Sequence, residues 1–143
     1  RLRRCASTVA ALVLLSSCLR PCNEIGCLTG VIVDIPRAFP LGALPLSVTL
    51  CADQQCETST IDPISTDGLT AIPVTGQLAL DARGERDLQA SINIRSTSSG
   101  TVLIAASGTG RLRRSQPNGK GCDPVCYSAS LTYDEATNTL IQR

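Results

Sequence analysis

The chain has 143 residues, enough for one domain, with a formal net charge of +1, 43% hydrophobic residues and only 2% aromatic ones. The absence of histidine excludes Ser-His-Asp and Cys-His catalysis and any imidazole metal site. A near-neutral balance with Phe39, Tyr127 and Tyr133 as the whole aromatic set offers no basic, base-stacking groove for nucleic acid.

The chain opens on Arg1-Leu2-Arg3-Arg4, runs apolar from Ala6 to Leu15, and then reads Ser16, Ser17, Cys18. A basic start followed by about ten apolar residues is the pattern of a secretory signal-peptide helix. A transmembrane helix needs about twenty. The competing reading, a short buried helix, lacks an amphipathic continuation to pack against.

Leu15-Ser16-Ser17-Cys18 resembles the lipobox of bacterial lipoproteins: an aliphatic residue, two small residues, then cysteine. The resemblance implies that residues 1–17 are a signal peptide and that the Cys18 thiol receives a diacylglycerol. Cys18 then becomes the first residue of the mature chain, and Cys5 leaves with the signal. An Arg:Lys ratio of twelve to one is in keeping with a GC-rich bacterial genome. Loss of Arg1, Arg3 and Arg4 leaves a mildly acidic domain, which has no general attraction to nucleic acid or anionic headgroups. The implied membrane contact is therefore the lipid, and two acyl chains anchor stably where one binds marginally.

Six cysteines remain: Cys22, Cys27, Cys51, Cys56, Cys122 and Cys126. An even number in an exported domain predicts three disulfides. The close spacing favours local pairing, and Cys51 and Cys56 flank what reads as a four-residue hairpin loop. The rival arrangement is a cross-link from the N-terminal pair to the Cys122/Cys126 loop. Zinc is the functional alternative, since these spacings approach those of zinc knuckles. An oxidising compartment argues against it, and no C-x-x-C motif supports redox catalysis.

Beyond a short polar tether (residues 18–27), period-2 alternation dominates, so residues 28–143 read as one β-domain. The predicted strands, in chain order, are residues 31–35, 46–50, 56–60, 69–74, 77–80, 88–95, 101–105, 109–115, 127–133 and 139–142. Leu88, Ala90, Ile92 and Ile94 share one face of the clearest example. Turn signals separate the runs: Asp67-Gly68, Thr75-Gly76, Arg83-Gly84, Ser98-Ser99-Gly100 and Pro117-Asn118-Gly119. Thr75-Gly76 reads as a two-residue hairpin connection. Residues 37–44 and 114–125 read as loops. The prediction is an all-β antiparallel sandwich of about seven to nine short strands. Its core must be aliphatic, which gives the disulfides a structural purpose.

The remaining chemistry is sparse. Asp62, Asp67, Asp134 and Glu135 fall at turns, where carboxylates bond nearby amides; a glycosidase pair would need an aromatic-lined cleft. Asp62, Asp67, Asp81 and Asp87 lack the spacing of a calcium loop. Arg111-Leu112-Arg113-Arg114 is the basic run, and Arg111 and Arg113 are the candidate anion ligands; the alternative is a charge-protected edge strand. No Gly-x-Ser-x-Gly elbow is present, and Ser107-Gly108-Thr109-Gly110 lacks the lysine of a phosphate loop.

The β-domain weakly resembles the immunoglobulin-like and transthyretin-like sandwiches of exported bacterial proteins, on strand count and without the buried strand tryptophan of antibody domains. Together with the lipobox, this implies a membrane-anchored, extracytoplasmic domain that is structural or protein-binding, with no enzymatic activity and no cofactor or metal. The alternative is an accessory domain for a glycan or small molecule. Residues 37–44 and 114–125 are the expected partner-facing loops.

Overall fold

A computed structural model describes residues 26–62 and 71–143. The expected signal-peptide helix and Cys18 lie outside them. Eight strands follow in order: β1 (Gly30–Pro40), β2 (Leu46–Ala52), β3 (Gln55–Ile61), β4 (Ala71–Ala79), β5 (Arg86–Ser96), β6 (Val102–Ser115), β7 (Cys126–Asp134) and β8 (Thr139–Gln142). One turn of 3-10 helix, Leu41–Ala43, links β1 to β2. Apart from that turn the described residues are all-β, as their alternation requires.

The architecture is not the expected antiparallel sandwich. All eight strands form a single mixed sheet in the order β3-β2-β5-β6-β8-β7-β1-β4, with a further β6–β7 pairing. β1 runs parallel to β7, pairing Gly30 with Ser128 through Asp34 with Thr132. β6 meets β8 at a parallel bridge, Ser107 with Thr139. β2 and β4 approach each other as well, so the sheet nearly closes into a barrel. A sandwich and a small barrel demand the same inward/outward alternation, which is why periodicity does not separate them.

The inward rows make the core. β2 contributes Leu46, Val48, Leu50 and Ala52; β5 contributes Leu88, Ala90, Ile92 and Ile94; β1 contributes Val31, Val33 and Ile35. Phe39 is the one large aromatic ring in the set that is almost fully buried. Its presence in β1 corrects the expectation of a loop over residues 37–44. Pro36 has no N–H to give the ladder, and the β1–β4 register shifts between Ile35 and Ala38 before pairing resumes at Phe39 with Ile72.

Two glycines lie inside strands, and the first of them corrects an expected turn. Thr75-Gly76 lies in the middle of β4, where Gly76 faces inward. A Cβ there would come within 3.3 Å of both Leu50 Cδ2 and Ile92 Cδ1. The missing side chain lets β2 and β5 pack up to the β4 backbone. Ser107-Gly108-Thr109-Gly110 lies inside β6, which is one 14-residue strand where two were expected. A Cβ on Gly108 would strike the Leu140 backbone carbonyl, so glycine is what allows β8 to lie against β6.

Candidate functional site

Strand directions sort the connections onto two ends. β1 and β7 both leave the same end, at Gly30 and Cys126, and their antiparallel neighbours arrive there. One end therefore carries residues 26–29, the Asp53-Gln54 turn and loops 80–85 and 116–125. The other carries the 3-10 turn and the turns at residues 97–100 and 135–138. The segment 116–125 thus lies at the first end, whereas 37–44 takes in the last four residues of β1 and the 3-10 turn at the other.

The cysteines gather at the first end. Cys27 is bonded to Cys126, at a sequence separation of 99. This is the long-range arrangement and corrects the preference for local pairing of Cys22 with Cys27 and Cys122 with Cys126. β1 and β7 are parallel neighbours starting at the same end, so their leading residues are close in space though distant in sequence. Cys51 and Cys56 do pair locally, with a Cα–Cα distance of 4.0 Å. They are directly opposed on β2 and β3, and Ala52 also pairs with Gln55. The turn is therefore two residues long, not four. Cys122 is also disulfide-bonded. Cys22 lies outside the described residues. Among the described residues no three Cys, Asp or Glu side chains sit together as a metal-binding group.

Loop 116–125 is built rather than loose. Gln116 Nε2 donates to the Cys122 carbonyl at 2.7 Å, and Asn118 Nδ2 donates to the Asp123 carbonyl at 2.6 Å. Two backbone turns, from Gly119 N–H to Gln116 and from Cys122 N–H to Gly119, complete it. Asn118 and Cys122 are both buried.

Arg111 and Arg113 share the exposed face of β6, with Leu112 fully buried between them. β6 is a central strand, so the edge-strand reading is corrected: the charges solvate the outer face of a paired strand. Arg111 Nη1 is 3.0 Å from Asp87 Oδ1, with both side chains more than half exposed. Such a pair is worth about 0–1 kcal/mol and leaves Arg111 already matched to an anion. Gln142 clamps the same place, accepting from Arg111 N–H and donating to its carbonyl, each at 2.8 Å. Among the described residues, Arg113 has no ion-pair partner.

The carboxylates are scattered. Asp134 accepts from Ala136 N–H at 3.0 Å and from the Thr137 hydroxyl at 2.7 Å, capping its own turn. Glu135 accepts from Arg37 at 2.9 Å. Asp62 and Asp81 are exposed on different connections, Asp87 is exposed near the start of β5, and Asp67 lies outside the described residues.

Asp53 is the organised polar centre that sequence reasoning missed. It sits at φ 52° in the β2–β3 turn, a conformation that aspartate tolerates. One carboxylate oxygen accepts from Arg86, and the other accepts from Gln89 N–H at 3.0 Å. The Asp53 N–H donates back to the Gln89 carbonyl at 2.8 Å. The Arg86 hydrogen bond, then the Gln89 amide, hold the carboxyl below its ordinary pKa. The only advance signal was an aspartate between two cysteines that a hairpin brings together.

Because the folded pKa is depressed, the Asp53 contribution is present above the unfolded carboxylate pKa of about 3.9 and is lost as pH falls through the folded value. Asp53→Asn keeps the turn conformation and removes the charge. It is expected to lower stability at neutral pH by about 1 kcal/mol. The difference between the two urea midpoints should shrink to nothing as the buffer is taken below the carboxylate range. A pH-independent difference would mean that packing, and not charge, carries the effect.

Comparison of the chain with models of known protein families, with curated proteins and with solved structures returns no match. The described residues contain no helix long and apolar enough to cross a membrane.

Proposed function

We propose that the protein is an exported bacterial lipoprotein, anchored through Cys18, whose β-domain acts without catalysis as a structural or protein-binding module outside the cytoplasm. The observation that carries this reading is the oxidised state of every cysteine among the described residues: Cys27, Cys51, Cys56, Cys122 and Cys126. Disulfides are the rule in exported proteins and the exception in the bacterial cytosol. The lipobox-like Leu15-Ser16-Ser17-Cys18 supplies the anchor. The absence of histidine and the scattering of the carboxylates favour a scaffold over an enzyme.

The test is the intact mass of the membrane-extracted protein, with and without reduction. A mature chain starting at Cys18 and carrying a diacylglyceryl group supports the reading, together with Cys18→Ser protein that moves to the aqueous fraction. An unmodified Cys18, or several thiols that alkylate without reductant, would overturn it.

A further inference from the structure

Of the eight described strands, β3 alone has no buried residue: Gln55 to Thr60 are exposed on both faces, and only Ile61 packs against the core. It is also an edge, paired with β2 on one side and, among the described residues, with no strand on the other. A strand that buries so little is nevertheless held firmly. The Cys51–Cys56 disulfide staples it to β2, the Thr49 and Thr58 hydroxyls are hydrogen-bonded at 2.9 Å, and Asp53 ties the turn to Arg86 and Gln89. We propose that this edge is a dimerisation surface, and that β3 pairs antiparallel with β3 of a second copy of the chain about a two-fold axis at Thr58.

Backbone geometry sets which groups face outward. Antiparallel neighbours alternate between close pairs without hydrogen bonds and wider pairs that exchange two. Cys51 and Cys56, with Cα atoms 4.0 Å apart, are a close pair. Thr49–Thr58 and Ser47–Thr60 are therefore close pairs too, and Leu50–Glu57, Val48–Ser59 and Leu46–Ile61 carry the β2–β3 bonds. The far side of β2 agrees: Pro45 and Asp53, in step with Cys51, bond toward β5 through the Thr97 N–H and the Gln89 carbonyl. The N–H and C=O groups of Cys56, Thr58 and Thr60 consequently point to the open edge, where no described backbone group meets them. Nothing blunts that edge: β3 has no proline, lysine or arginine, and its register with β2 runs without a bulge. The opposite edge strand, β4, carries Pro73 and is approached by β2.

The edge is complementary to itself. With the axis at Thr58, Cys56 faces Thr60 of the second copy, Thr58 faces its own counterpart, and Thr60 faces Cys56. These wide pairs each exchange two bonds, so every open N–H and C=O of the edge is used. Glu57, the one charged residue of the strand, then stands opposite Ser59 of the second copy, and the threonine pair is of a kind that stabilises sheets. An axis at Glu57 would set two carboxylates face to face. An axis at Ser59 would carry Cys56 past the end of the strand, opposite Asp62. A contact in which one patch meets itself closes at two copies and does not propagate.

Sedimentation equilibrium of the full chain in density-matched detergent, with amide exchange resolved residue by residue, tests the pairing. The expected result is a monomer–dimer equilibrium between low-micromolar and near-millimolar concentrations. Exchange at Cys56, Thr58 and Thr60 should slow by about tenfold or more as the dimer forms, while Glu57 and Ser59, bonded to β2, are protected throughout. Thr58→Pro removes an N–H that β2 does not use. It should weaken the dimer by about tenfold or more and leave Glu57 and Ser59 protected. A chain that stays monomeric to the millimolar range overturns the pairing, whether its edge amides are open to water or covered within one molecule. A dimer whose edge amides exchange as they do in the monomer, or one that a folded Thr58→Pro protein forms equally well, places the contact elsewhere and also overturns it. The exchange pattern of the native chain decides the matter even where the proline variant fails to fold.

Discussion

Replacing Phe39 by alanine is expected to destabilise the protein by about 3–5 kcal/mol, the usual cost of emptying a fully buried aromatic site. Phe39 is 1% exposed and is the only phenylalanine in the chain. The rest of the core is Leu, Ile, Val and Ala with Tyr133. Small aliphatic side chains have little reach, so the barrel wall cannot collapse into the space a ring leaves. Phe39 also carries the Arg37 guanidinium, whose central carbon lies 4.9 Å from the ring centroid, and Arg37 bridges to Glu135 on the β7–β8 turn. The alanine variant therefore loses packing and the ring that supports Arg37 in its bridge from β1 to the β7–β8 turn. Phe39→Leu, which keeps most of the volume, should cost less than about 1.5 kcal/mol. Urea unfolding of the three proteins checks the order. Equal midpoints for the alanine and leucine variants would show that the ring volume is not what matters.

The strand inventory was legible because the inward face is so regular. Leu88, Ala90, Ile92 and Ile94 read as one face from the sequence and line the core in the structure. β8 begins and ends where alternation placed it, at Thr139 and Gln142. What alternation does not carry is adjacency. The β1–β7 pairing joins residues almost a hundred apart, and nothing local distinguishes it from a pairing within a second sheet. Thr75-Gly76 misled for a physical reason: Gly76, like Gly108, serves close backbone approach, which needs the same missing Cβ as a turn. The polar centre at Asp53 depends on β5 passing beside the β2–β3 turn, so Arg86 and Gln89 became its partners only once the topology was known.

The two disulfides with both ends among the described residues should differ in weight for the same topological reason. Cys27 and Cys126 lie 99 residues apart and are joined because β1 and β7 start side by side, whereas Cys51 and Cys56 lie five apart across one hairpin turn. Closing a loop of about 100 residues by one bond confines the unfolded chain by about 4–5 kcal/mol, against about 2 kcal/mol for the small ring. The double replacement Cys27→Ala with Cys126→Ala is therefore expected to cost up to about 4–5 kcal/mol, and Cys51→Ala with Cys56→Ala about 2 kcal/mol. The two pairs close separate rings, so their losses should add in the fourfold variant. Urea unfolding of the native protein and the three variants measures this. Equal losses for the two pairs would mean that loop length is not what sets the contribution of these bonds.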